Sequence, residues 1–530
     1  MEKARKLVAL VMTLALLLPC CSTNASTQVD QVVLALQSEP ETINPFNITG
    51  AYGDPIHDCI FEKFFDYSYE GEILNRLCTA YEAETNEQGQ MIITFHLADN
   101  VTWHDGEKLT AQDVVFTDKL VTNPDMLSTR RYYWSSIVGT DDSGVCEDPD
   151  TLGVVALDDY TVQYTLKEVR ALDAFFLIDM RFHYVMPEHL LKDIDPAQLH
   201  QSDFWLHPVG AGPLKFDSMV SGERYELVRN DDYYRGTTNF QRLVFVIMDP
   251  SNYAAALASG EIDATTSLSA LPLDDWEYVQ SLDNIETVSF VSYQYQWMNI
   301  NHSREYLQDP RVRQAISFAI NRQALVDQLL YGEGQYAVSS ITPTSQYFNT
   351  KYAADPYNPE KAKQLLEEAE WDFDIVLDFA VPTGNKVREN SAVLIQQDLA
   401  AVGIKSQLRY VDFATEIVEL REGNCDLGLL GGGSPDPDDV RINFNIYGSN
   451  NYSNLTDESF YEVLDEARSV MTPEERKVFY DQWQEMCYEL TPIVWLYHAN
   501  ALFAYSDKFE NYPCEDSLAN NLMVLEWTFK

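Results

Sequence analysis

The chain is short of basic side chains: its 530 residues carry 36 Lys and Arg against 83 Asp and Glu, a formal net charge of −47. A field of that sign repels nucleic acid and anionic membrane surfaces, which argues against phosphate-backbone binding as the function. Metal-ligand spacing is also lacking. The nine histidines are scattered, with no H-E-x-x-H pair, and the acids form no EF-hand loop. Ser434 lies in Gly432-Gly433-Ser434-Pro435-Asp436, where a G-x-S-x-G nucleophile elbow needs glycine at position 436. Asp436, Asp438 and Asp439 crowd one Pro-rich loop, where carboxylates cap helices or face solvent rather than flank a scissile bond. The one candidate phosphate loop, Gly210-Ala211-Gly212-Pro213, lacks a third glycine, and Pro213 has no N–H to donate. The expectation is a protein that is not an enzyme, with no catalytic residue, no metal site and no cofactor. There is no internal repeat. Past the N-terminus no apolar run reaches the roughly 18–20 residues of a membrane span.

What the chain does have is apolar mass: 45% hydrophobic and 12% aromatic residues, enough for large cores. Its N-terminus reads as an address. Lys3, Arg5 and Lys6 precede the apolar run Leu7–Leu18, which is too short to span a bilayer comfortably. Pro19-Cys20-Cys21 and the polar Ser22–Thr27 follow, and the whole resembles a bacterial lipobox. Cys21 is the expected acylation site, because Cys20 then supplies a small residue before it; Cys20 is the alternative register. Residues 1–21 would be the signal segment and 22–30 a tether. Six further cysteines, Cys59, Cys78, Cys146, Cys425, Cys487 and Cys514, have no metal-ligand spacing, and whether any pair stays open.

The stretch Thr94–Thr117 organises the rest. Thr94, His96 and Ala98 alternate with Phe95 and Leu97, the period of a half-buried strand. His104-Asp105-Gly106 is a turn, and His104 is expected to be a structural hydrogen-bonder there. Thr110 can then cap a helix that buries Val114, Val115 and Phe116, with acidic Asp113 at its third position. The string WHDGEKLTAQDVVF closely resembles the signature of the family 5 extracellular solute-binding proteins, the peptide and nickel receptors of ABC importers. Further matches follow in family order: Pro208–Phe216, Arg229–Gly236, Ala254–Asp263 with Gly260 as a helix stop, Asp309–Leu330, read as one helix with Pro310 at its first position, and Tyr357–Trp371. Helical spacing is also read over Ile56–Asp66.

The resemblance implies an α/β, two-lobed periplasmic-binding-protein-like fold of type II, the large cluster with an extra subdomain in lobe one. Lobe one would comprise 31–291 plus 500–530, with the subdomain at 63–187, and lobe two 292–499. It implies an extracytoplasmic substrate-binding lipoprotein, monomeric and lipid-anchored on the outer face of the membrane. That protein would capture a small solute, a peptide first of all, and pass it to the importer's transmembrane subunits. A non-peptide solute (metal chelate, sugar or haem) or a sensing role is the alternative. The implied ligand-binding residues are Thr49, Gly50, Ala51 and Tyr52; Tyr295 and Trp297; Gly431, Gly432, Gly433 and Ser434; and Trp495 with Tyr497. Strict alternation would put Tyr293, Tyr295 and Trp297 on one strand face, and His498 beside them is a further cleft candidate. Core packing is the competing role for every aromatic. In one respect the chain departs from the family: Ser434 stands about where peptide receptors carry the Asp that pairs with the ligand's α-ammonium. Either Asp436 takes over, or the ligand offers no α-amine there. The second is favoured, because Pro435 and Pro437 restrict Asp436.

Labelled palmitate should enter the wild-type protein in its own cells and not the Cys21→Ala variant. Undiminished labelling of that variant moves the site to Cys20, and no labelling of either protein removes the anchor.

Overall fold

The computed structural model describes residues 29–48, 51–68, 72–433, 436–446, 448, 450–514 and 522–530. Residues 1–28, including Cys21 and the expected tether up to residue 28, lie outside them; Val29 and Asp30, expected in the tether, already belong to the first strand. Among the described residues no helix is long and apolar enough to cross a membrane. The six described cysteines are all buried, and Cys59, Cys78, Cys146, Cys425 and Cys487 are free thiols.

Three sheets carry the architecture. In the first, Val29–Leu36 pairs in parallel with Phe240–Ile247, and Arg224–Arg229 and Leu214–Val220 continue antiparallel. The second has six strands in the order Gly334–Tyr336, Val494–Ser506, Ile285–Ile300, Leu427–Gly432, Val376–Pro382, Lys405–Val411. The third is an antiparallel meander, Cys78–Thr85, Met91–Leu97, Thr161–Leu166 and Val154–Asp158. The first two are joined through Ala264, which bridges Leu34 on one side and Tyr505 on the other. Ile285–Ile300 and Val494–Ser506 therefore run from one body of the molecule into the other. Their antiparallel register holds from Ile285↔Ser506 to Val291↔Asn500, breaks, and resumes at Tyr295↔His498. Residues 292–294 stand opposite Ala499 alone, a bulge that bends the strand pair. The hydrophobic side chains divide accordingly. One cluster spans Val32, Phe245, Phe176 and Phe503, and two others gather Met298 with Leu427 and Trp297 with Trp483.

The signature forms as its sequence predicts. Met91–Leu97 buries every second residue, and the helix Ala111–Thr122 follows Thr110, whose N–H donates to Asp113 Oδ2 at 2.8 Å. The other Asp113 oxygen accepts from Glu188 N at 3.0 Å, so one carboxylate caps the helix and fixes the chain returning beneath it. His104 is the pin. Its N–H donates to Gly210 O at 2.8 Å, its Nδ1 accepts from Gly210 N at 3.2 Å, and its Nε2 donates to Gly212 O at 3.1 Å. A Cβ at Gly210 would stand 1.9 Å from Ile60 O, so only glycine allows this approach.

Two helices differ from expectation. The Ile56–Asp66 segment is helical only over Asp54–Ile60; it then extends and pairs Phe65–Tyr67 with Ile73–Asn75. Ion pairs decide it: Arg76 binds Glu62 and Asp66, and Lys63 binds Asp58 and Asp66, all buried. The Asp309–Leu330 segment is two helices, Pro310–Ala319 and Arg322–Leu329, the second capped by Asn321. The break lets buried Arg322 reach Ser317 O, Ile320 O and Trp495 O, while Arg313 takes Leu490 O and Thr491 O. These arginines tie two helix ends to the second sheet and satisfy carbonyls that no helix could.

Burial lowers the His104 pKa to about 4, against 6.5 for an ordinary histidine. Its neutral form therefore stabilises the fold fully above pH 6.5. Between 6.5 and about 4 the unfolded chain takes up a proton that the folded chain refuses, and the contribution is lost as pH falls. At pH 4.5 the loss should be roughly 2–3 kcal/mol relative to pH 7. Urea midpoints of wild type and His104→Gln at both pH values measure it. The variant should lose less on acidification, and equal losses would contradict the assignment.

Candidate ligand-binding site

Val376–Pro382 runs parallel to both Lys405–Val411 and Leu427–Gly432, so three carboxyl ends share one edge of the second sheet. In open α/β sheets, solutes bind beyond that edge. Here it carries two helix starts and a glycine run. Asn385 accepts from Arg388 N to open Lys386–Ala401, and Asp412 accepts from Thr415 N to open Phe413–Glu422. Gly431 and Gly432 pair with Gln296 and Tyr295 of the crossing strand. Half-buried Arg388 donates Nε to Gln296 Oε1 at 2.8 Å, and its guanidinium lies 5.9 Å from the Phe413 ring centre. A Cβ at Gly431 would meet Gln296 Nε2 at 2.2 Å and Arg388 Nη2 at 2.5 Å. Beneath them Glu416 accepts from Leu429 N at 2.9 Å, and burial pushes its carboxyl up to about 8. The edge thus presents a guanidinium and glycine backbone, over a buried carboxyl.

The sequence-derived site residues fall into three groups. Thr49, Gly50 and Ser434 lie outside the described residues. Ala51 and Tyr52 are partly exposed: Ala51 O accepts from Asp54 N at 2.9 Å, and Tyr52 packs against the first core. The aromatics are inside. Tyr295, Trp297 and Trp495 are exposed by 1%, 4% and 4%, and their rings form one cluster with centroids 5.4–6.4 Å apart. Tyr497, 2% exposed, packs into the neighbouring cluster with Met298. Trp495 and Tyr497, both ligand-binding candidates, thus pack into different clusters. A register shift, from Gln296↔Tyr497 to Trp297↔Trp495, separates two residues that simple alternation would place together. The alternation expected from Tyr293 through Trp297 likewise breaks at the 292–294 bulge. His498 is buried in the strand, and burial lowers its pKa to about 4.

Arg388 and Gln296 were invisible in the sequence. They stand 92 residues apart and belong to no motif. Asp436 is buried rather than displayed. It accepts from Asp438 N at 2.8 Å, capping the turn Pro437–Val440, and takes Arg476 bidentately at 2.8 and 2.9 Å.

Two bodies joined by a paired crossing, with a glycine-lined carboxyl edge at the join, define a two-lobed solute-binding fold. The chain belongs to the bacterial extracellular solute-binding proteins, family 5, whose family model matches residues 76–454. It is 25% identical to the oligopeptide-binding protein AppA of Bacillus subtilis over 96% of both chains. It is 26% identical to heme-binding protein A of Haemophilus influenzae over 79% of this chain and 78% of that one. Among solved structures it resembles the ABC transporter substrate-binding protein CtaP of Listeria monocytogenes, with TM-score 0.78 and 24% identity, covering 91% and 95% of the two chains.

A Cβ at Gly433 would lie 2.3 Å from Tyr293 O, a backbone atom of the bulge that cannot rotate away. Gly433→Ala should destabilise the protein by about 1–3 kcal/mol, as overpacking does. Gly236→Ala, with nothing within 4 Å of its added Cβ but φ +112, should lose stability through backbone strain alone. Thermal melts compare them with wild type; an unshifted Gly433→Ala would show that the loop is not held against the crossing.

Proposed function

We propose that the protein captures a peptide between its two lobes and delivers it to the transmembrane subunits of an ABC importer, anchored through Cys21. Lobe one is 31–291 with 500–530, including the subdomain at 63–187, and lobe two is 292–499. The observation that carries the reading is the glycine edge at Gly431–Gly433, packed on the crossing strands where the lobes join. Backbone without side chains lets an extended peptide approach closely enough to hydrogen-bond main chain to main chain. The broken register at 292–294 supports bending at the join, and a ligand that touches both lobes only when they meet shifts the population towards closure. The family and the oligopeptide-binding relative support peptide as the solute. The haem-binding relative supports a non-peptide solute as the second reading.

Charge refines the ligand. Arg476 already engages Asp436, and Arg388 is a cationic group at the carboxyl edge. The peptide is therefore held without an ion pair from Asp436 to its α-ammonium. If such a bond existed, acetylating the amine would cost roughly 1.5–3 kcal/mol. Calorimetry with a panel of tri- to nonapeptides and their N-acetylated forms should show less than about a ten-fold loss on acetylation. Small-angle scattering with the tightest peptide should show a smaller radius of gyration, and mass spectrometry should recover that peptide unchanged. A loss above about 2 kcal/mol that Asp436→Asn abolishes would restore Asp436 as the amine site. Binding of haem or a metal chelate but of no peptide would overturn the peptide reading.

A further inference from the structure

Arg476 connects more than its own lobe. It sits on the helix Pro473–Leu490, which gives Tyr480 and Trp483 to the core, and its side chain is fully buried. Besides Asp436 it binds Asp173 Oδ2 at 2.8 Å. Asp173 belongs to the short turn Leu172–Ala174, followed by Phe175 and Phe176 in the other body's core. Tyr347 donates its hydroxyl to the same Asp173 oxygen, and Arg476 Nη2 donates to Tyr480 OH at 2.7 Å. The Tyr347 and Tyr480 rings both lie 5.1 Å from the guanidinium carbon. Main chain joins in: Ala171 N–H donates to Arg468 O at 3.0 Å and Leu172 N–H to Met471 O at 3.4 Å, while Met471 packs against the first core. No strand crosses here. Another contact between the bodies, Trp276 to Glu333, is next to the crossing itself, because Glu333 also holds Ser289 and Asn500.

We propose that Asp173, Arg476 and Tyr347 form an interlobe clasp that sets how much of the protein is closed before any solute arrives. The charge count makes the clasp releasable. Parting a buried ion pair normally leaves one charge stranded at a cost of about 3–5 kcal/mol. Here Arg476 keeps Asp436, in bidentate geometry, when Asp173 withdraws to water and gives up the bond it accepts from the Tyr347 hydroxyl, so no buried charge is left without a counter-ion. Asp436 lies three residues past Gly433, so the arginine that holds the far lobe is anchored to the segment leaving the glycine edge. The consequence for affinity rests on the solute-binding reading: apparent affinity scales with the fraction of closed, competent protein. The clasp itself does not rest on it, and its test uses no ligand.

Spin labels on Glu87→Cys and Glu458→Cys, exposed positions on opposite bodies, report the separation by pulsed EPR in ligand-free protein. Asp173→Asn should raise the ratio of long to short distances about ten-fold, the scale of one charge-assisted bond. Ala171→Pro provides a second route. Its φ of −61° already suits proline, so the change removes the N–H donated to Arg468 O without altering that torsion. It should move the distribution the same way. Thermal melts confirm that both variants fold. Unchanged distance distributions in folded Asp173→Asn and Ala171→Pro would overturn the clasp. A failure of every peptide to bind would leave this result standing and count only against the proposed solute.

Discussion

The antiparallel pairing of Ile285–Ile300 with Val494–Ser506 is the constraint on which the rest depends. Each strand alone would be a flexible tether. Hydrogen-bonded together, they remove twisting and sliding and leave bending where the ladder is interrupted, between Val291↔Asn500 and Tyr295↔His498. The interruption also directs side chains. On one side of it, Val288 and Phe503 serve the first core; on the other, Tyr295, Trp297 and Trp495 close over Trp483. A bulge between two paired stretches of one ladder keeps both bodies in register with one another, and on the proposed function it is where they would bend.

An acidic protein must also bury its few cations carefully. Arg313 and Arg322 are held by carbonyl oxygens, and burial lowers their pKa to about 10 without discharging them near neutrality. Arg76 and Lys63 sit among Glu62, Asp58 and Asp66, so neither sign is stranded in the first core. Arg476 follows the same rule with one carboxylate to spare. That surplus separates a structural pair from one that can let go.

Much of this was legible beforehand. The signature strand, turn and helix, the stop at Gly260, and Pro310 opening its helix follow from groups within a few residues of each other. The family match carried the two-lobed class and the order of segments. What could not be read were interactions between segments far apart. Arg388 with Gln296 and Arg476 with Asp173 join residues 92 and 303 positions apart, with no pattern in either neighbourhood. The same applies to the early end of the Asp54–Ile60 helix, where ion pairs to Arg76 outweigh helical spacing.

By itself, then, the sequence determined the local units, their order and the family, because caps, turns and apolar periods act over one or two turns of chain. The tertiary structure decided which residues share a surface. One shifted pair in a ladder moves Trp495 and Tyr497 into different cores, although their spacing promises one face. It also decided that Asp436, which the sequence leaves as either cap or ligand group, is a buried partner of Arg476. Register and ion pairing across long separations are set by the packing of whole bodies, and no window of neighbouring residues contains that information.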